Sequence, residues 1–121
     1  MKKFNNYDLH FSFDRKNKEI RFANAEYIHP LKQDLLQSLQ IDFEGDCNVK
    51  TVIVFGSAVE FRCNSYSDLD LCLERYDHEK PFHCTSEEEI DLLYWDRIGE
   101  RLKNEISQKG IVVYDREGNY V

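Results

Sequence analysis

Asp68 and Asp70 flank Leu69 at the head of the apolar run "DLDLCLE", with ten residues between Asp68 and Gly56-Ser57, which ends the earlier run "VKTVIVF". Alternate residues of a strand share a face, so the two carboxylates project the same way with Cα atoms about 7 Å apart. Held about 6 Å apart near a surface, they repel by about 3 kcal/mol at an effective dielectric of about 20. A divalent cation between the oxygens reverses the sign of that interaction. An isolated Asp-x-Asp pair reads as well as a charged strand edge. This pair has company: Asp91 lies in the next apolar run, "EIDLLYW", on one face with Glu89 and Leu93. Three convergent carboxylates suit one or two Mg2+ ions about 3.5 to 4 Å apart, the arrangement that serves in-line displacement at phosphorus. Gly56 and Ser57 fit the same chemistry, because a glycine after a buried strand lets backbone approach a phosphate and Ser57 adds a hydroxyl donor beside the N–H groups of the next turn.

The elements that must position these residues follow from periodicity. "VKTVIVF" is β-branched and almost continuously apolar, as expected of a central strand buried on both faces. Residues 57–62 suit a short helix and "NSYS" a loop. "DLDLCLE" then reads as a strand with Leu69, Leu71 and Leu73 on one face and Asp68, Asp70 and Cys72 on the other, and "EIDLLYW" as another strand. Pro30 at a first helical position, with Leu31, Leu35, Leu36 and Leu39 behind it, predicts a helix over 30–40 and an exit loop in "FEGDCN". Ile98, Leu102 and Ile106, stopped by Gly110, predict a helix from Asp96 onward, and "IVVYD" closes as a strand. Residues 1–28 alternate polar and apolar on both sides of "RKNK", with Leu9, Phe11 and Phe13 before it and Ile20 and Phe22 after it, which predicts a β-hairpin. The order is that of an α/β (α+β) domain, a mixed sheet flanked by helices, with one core spanning residues 1–121.

Composition narrows the function classes. A net charge of -7 argues against a nucleic-acid binder, which needs a surplus of Lys and Arg for phosphates, but leaves room for a small anion carried with a divalent cation. No run is apolar for the roughly 18 residues that a membrane span needs, and no apolar segment follows the two N-terminal lysines, so the chain reads as cytoplasmic with no membrane partner. Cys47, Cys63, Cys72 and Cys84 are spaced by 16, 9 and 12, which matches no metal or redox pattern and suits reduced thiols. Trp95 and Tyr94 read as core or interface aromatics.

"GSAVEFRCNSYSDLDL" resembles the G-S-x10-D-x-D signature of the nucleotidyltransferase superfamily related to DNA polymerase beta, with Gly56, Ser57, Asp68 and Asp70 in the expected places. Asp91 resembles the third carboxylate of that superfamily, and the likeness covers residues 49–115. The resemblance implies a nucleotidyltransferase fold, with the N-terminal hairpin as an extension outside the matched part. It implies that Asp68, Asp70 and Asp91 bind Mg2+, in a one- or two-ion site, that Asp91 helps deprotonate the acceptor, and that Gly56 and Ser57 hold the triphosphate. The reaction would move AMP from ATP to a hydroxyl acceptor with release of pyrophosphate. At this length the chain looks like a minimal nucleotidyltransferase, a class often paired as antitoxin with a HEPN-domain toxin, so the acceptor is expected on a partner protein. Small members often read G-S-R-A-R-G, whereas Ala58, Val59, Glu60 and Phe61 follow Ser57 here, with Arg62 the next cation. The alternative is a non-catalytic module of the same fold that neutralises or positions a partner protein.

Overall fold

The computed structural model describes residues 12–14, 19–61, 63–85 and 90–118. Four strands, β1 (Val49–Phe55), β2 (Leu69–Arg75), β3 (Ile90–Tyr94) and β4 (Ile111–Asp115), form a mixed sheet in the order β3-β2-β1-β4. β1 pairs antiparallel with both β2 and β4, while β2 and β3 run parallel. β1 is therefore interior, as its continuous apolar character predicts. Two helices, α1 (Pro30–Gly45) and α2 (Glu100–Lys109), complete the α+β architecture.

Alternation along each strand divides the apolar residues between the two faces of the sheet. Val52, Val54, Leu69, Leu71, Leu73, Ile111 and Val113 join Leu36, Leu39 and Phe43 of α1 in the larger core. Ile53, Cys72 and Val112 face Ile106 of α2 in a smaller cluster, with Phe55, Trp95, Ile98 and Leu102 packed around it. Trp95 is thus a core-packing aromatic, as read from the sequence.

α1 runs to Gly45, beyond the expected end at residue 40, because Phe43 is fully buried and Arg116 receives the helix end. The Arg116 guanidinium donates to the carbonyls of Phe43 at 3.0 Å and Asp46 at 3.0 Å, which supplies the partners that the last turn lacks within the helix. α2 begins at Glu100, not Asp96, since Trp95–Arg97 forms a tight 3-10 turn and Gly99 provides the extended N-cap.

The expected N-terminal hairpin needs correction. Residues 1–11 and 15–18, including most of its first arm and its turn, lie outside the described residues. The second arm is not a strand: residues 19–28 contain only a short 3-10 turn, Ala25–Tyr27, preceded by Asn24 at φ 61. Ile20, Phe22, Ala25 and Ile28 all enter the larger core, and the Phe13 N–H donates to the Glu26 carbonyl at 2.6 Å. Gln33 of α1, fully buried, donates to the Ile28 carbonyl at 2.9 Å, which ties that segment to the helix. Among the described residues no helix is long and apolar enough to cross a membrane.

Candidate functional site

The C-terminal end of β1 and the N-terminal ends of β2, β3 and β4 meet at one edge of the sheet, because β1 opposes β2 and β4 while β3 runs with β2. Phe55 stands opposite Asp70, and Asp70 stands opposite Asp91. The two carboxylate positions are thus neighbours in one row across the sheet. Asp70 shares a strand face with Cys72, so it projects on the α2 side.

β1 ends in Gly56 with φ 74, a left-handed conformation that glycine adopts without the steric cost of a side chain. A Cβ placed there would overlap Asp70 Oδ2 and stand 3.2 Å from its Cγ. The Asp70 carboxylate therefore lies directly against the backbone of the Gly-Ser turn, which only a glycine permits. Gly56–Val59 forms a 3-10 turn, as the short helix expected over 57–62 foreshadows, with Ala58 and Val59 buried in the core and Ser57 partly exposed.

The loop between the turn and β2 is fixed by local hydrogen bonds. The Asn64 Oδ1 accepts from the Tyr66 N–H at 2.8 Å, and the Asn64 N–H donates to Ser67 Oγ at 3.2 Å. Asn and Ser bonds of this kind close tight turns, so "NSYS" delivers the chain to β2 in a set direction. Cys63 is buried behind this loop, its thiol donating to the Asn64 carbonyl at 3.9 Å. Burial pushes the Cys63 thiol up, and it pushes Cys72 up to about 12, so neither is a nucleophile at neutral pH.

Asp70 and Asp91 are brought together by register, and Gly56 and Ser57 adjoin them. Asp68 is exposed and precedes the first paired residue of β2. Among the described residues no group of three or more His, Cys, Asp or Glu stands close enough to hold a metal ion by itself. A pair of carboxylates suits Mg2+ nonetheless, since that ion keeps several waters and is usually bound by one or two carboxylates together with substrate phosphates. Arg62 and Glu89 lie outside the described residues.

The periodicity reading missed Lys32. It lies one turn before Leu36 on the core-facing stripe of α1 and is 7% exposed. The signal was its spacing with residues 36, 39 and 43, a stripe otherwise filled by Leu and Phe. No protein-family model and no curated protein matches this chain.

Proposed function

We propose that the chain is a divalent-metal-dependent nucleotidyltransferase of the cytoplasm that moves AMP from ATP to a hydroxyl on a partner protein. One observation carries the reading: Asp70 stands in register with Asp91 while its carboxylate lies against Gly56 at the Gly-Ser turn. Two acidic groups beside a backbone that admits close approach form an arrangement for a metal-bound triphosphate. A structural ladder gains nothing from adjacent like charges.

In this reading Gly56 and Ser57 would seat the phosphates, and Asp70 and Asp91, joined by Asp68 from the head of β2, would hold the metal. Bound Mg2+ would neutralise charge on the phosphates and on the departing pyrophosphate. Asp91, exposed at the edge of the sheet, would accept the proton of the attacking hydroxyl. The acceptor oxygen then bonds to the α-phosphorus as the bond to pyrophosphate breaks. The chain's share is position and charge, with no covalent enzyme intermediate.

A second reading, a module of the same fold that binds a partner without transferring nucleotide, is favoured by the residues after Ser57. Ala58 and Val59 are spent on the core, and Glu60 adds negative charge where phosphates would lie. Thermal unfolding with Mn2+ and ATP separates the readings. Stabilisation by Mn2+ that Asp70→Asn abolishes, and that ATP enlarges, supports the enzyme. Identical melting of both proteins with and without Mn2+ would refute it.

A further inference from the structure

Lys32 occupies a position that the amphipathic pattern of α1 reserves for an apolar residue, and its stem is buried accordingly. Lysines are seldom this buried unless paired, because ordering the long side chain and dehydrating the ammonium both cost free energy. Among the described residues no hydrogen bond or ion pair engages the Lys32 ammonium. Nor is its Nζ among the sealed polar atoms that lack partners, which are Gln40 Nε2 and Glu74 Oε1, so the head reaches solvent at the end of a buried stem.

The direction of that stem follows from the helix. Side chains lean toward the N-terminus of their own helix, so Lys32 leans over the first turn of α1. That turn is docked on the Gly-Ser turn: the His29 N–H donates to the Ala58 carbonyl at 2.7 Å, and the Lys32 N–H donates to the His29 carbonyl at 2.9 Å. Lys32 is also within electrostatic reach of the Cys63 thiol, near which the Ser57 and Ser67 hydroxyls lie. A cation and two hydroxyl donors, delivered by α1, the Gly-Ser turn and the following loop, thus face one small region at the edge of the sheet.

We infer that Lys32 is a phosphate-binding residue, which takes an oxygen of the nucleotide's triphosphate chain together with the hydroxyls of Ser57 and Ser67. The role presupposes the nucleotidyltransferase reading and places the phosphates on the α1 side of the Gly-Ser turn, opposite the carboxylates on the α2 side. A triphosphate would then bridge the two faces, its negative charge met by lysine at one end and by metal at the other. Such an ammonium is poised rather than idle, because the stem is already ordered before the anion arrives.

Calorimetric titration of the full chain with sodium tripolyphosphate, metal-free and at low salt, tests this role. Lys32→Met keeps the buried stem and removes the charge, and Lys32→Arg keeps the charge. The wild type should bind with an affinity that falls as salt rises, Lys32→Met should lose about tenfold or more, and Lys32→Arg should retain most of the binding. A measurement on the unaltered protein backs the variants: tripolyphosphate should shield Lys32 from acetylation, read by peptide mass. Equal affinity of wild type and Lys32→Met, absence of binding by the wild type, or unshielded Lys32 overturns the inference. A parallel titration with Mn2+ alone, on wild type and Asp70→Asn, separates the two claims. Mn2+ binding that needs Asp70, beside tripolyphosphate binding indifferent to Lys32, sinks the lysine role and leaves the transferase standing. Tripolyphosphate binding that needs Lys32, with no Mn2+ binding at Asp70, does the reverse.

Discussion

Gly56 joins backbone conformation to site chemistry, because its φ of 74 and the overlap of any Cβ with Asp70 Oδ2 arise at the same atom. Gly56→Ala should therefore cost about 1–2 kcal/mol for the left-handed conformation, and more for the displaced carboxylate. Denaturant unfolding of Gly56→Ala, Asp70→Ala and the double variant checks the contact. The double variant should lose less than the sum of the single losses, since removing the carboxylate vacates the space that the methyl needs. Strict additivity would mean that the two residues do not meet. Gly56, Ser57, Asp70 and Asp91 were legible in the sequence because each sits at an abrupt change from apolar to polar or at a period-two position. Lys32 was not, since lysine ordinarily marks the solvated face of a helix, and only the packing of α1 reveals that this one lies on the buried stripe.

β2 and β3 set Asp70 beside Asp91, and the opposite end of that parallel pair is fastened by Arg75. Its Nε and Nη2 donate to the two oxygens of Asp96 at 3.2 and 2.9 Å, its Nη1 donates to the Lys80 carbonyl at 2.9 Å, and its guanidinium lies 3.6 Å from the centre of the Tyr94 ring. The Arg75 hydrogen bonds hold the Asp96 carboxyl below its ordinary value of 3.8, against an opposing contribution from burial. A folded pKa below the unfolded one means stability that is complete above about pH 4 and is lost as pH falls through the folded value. Asp96→Asn should accordingly destabilise the domain by about 2–3 kcal/mol at neutral pH. Urea unfolding across pH should show that deficit shrinking below pH 3.8, whereas a deficit independent of pH would deny the ion pair its role. All four strands were legible from alternation and β-branched content. The ends of the helices were not, because they depend on distant partners: Arg116 beyond β4 extends α1, and the Arg75–Asp96 pair draws Asp96 out of α2. The N-terminal alternation misled for a related reason. Residues 19–28 form no strand although Ile20, Phe22, Ala25 and Ile28 are buried in the larger core, and an alternating pattern records burial without revealing whether a strand forms.

At the scale of the whole molecule, the candidate site lies on the rim of a four-stranded sheet. Phe61 and Tyr66, on the segment between Ser57 and Asp68, are 62% and 94% exposed, and the Phe61 ring meets Phe13 edge-on with centroids 5.1 Å apart, so large apolar surface flanks the site. Pockets that specify small ligands usually bury most of the ligand, and exposed aromatics beside polar groups are common where another protein docks. A second chain that seats on this rim would cover the base, complete the wall and present the acceptor hydroxyl at once. The net charge of -7 favours a partner rich in Lys and Arg, chiefly by speeding encounter. The isolated chain should therefore transfer nucleotide slowly or not at all with Mg2+ and ATP. Co-expression with the product of the neighbouring gene should yield a complex whose partner subunit gains the mass of AMP on a hydroxyl side chain, and Asp70→Asn should leave that partner unmodified. Tyr66→Ser should weaken the complex without lowering the melting temperature of the chain, since its ring is 94% exposed. Intact-mass measurement decides the matter: rapid transfer to a small alcohol by the chain alone, or a stable complex whose partner stays unmodified with Mg2+ and ATP present, contradicts the role assigned to the rim.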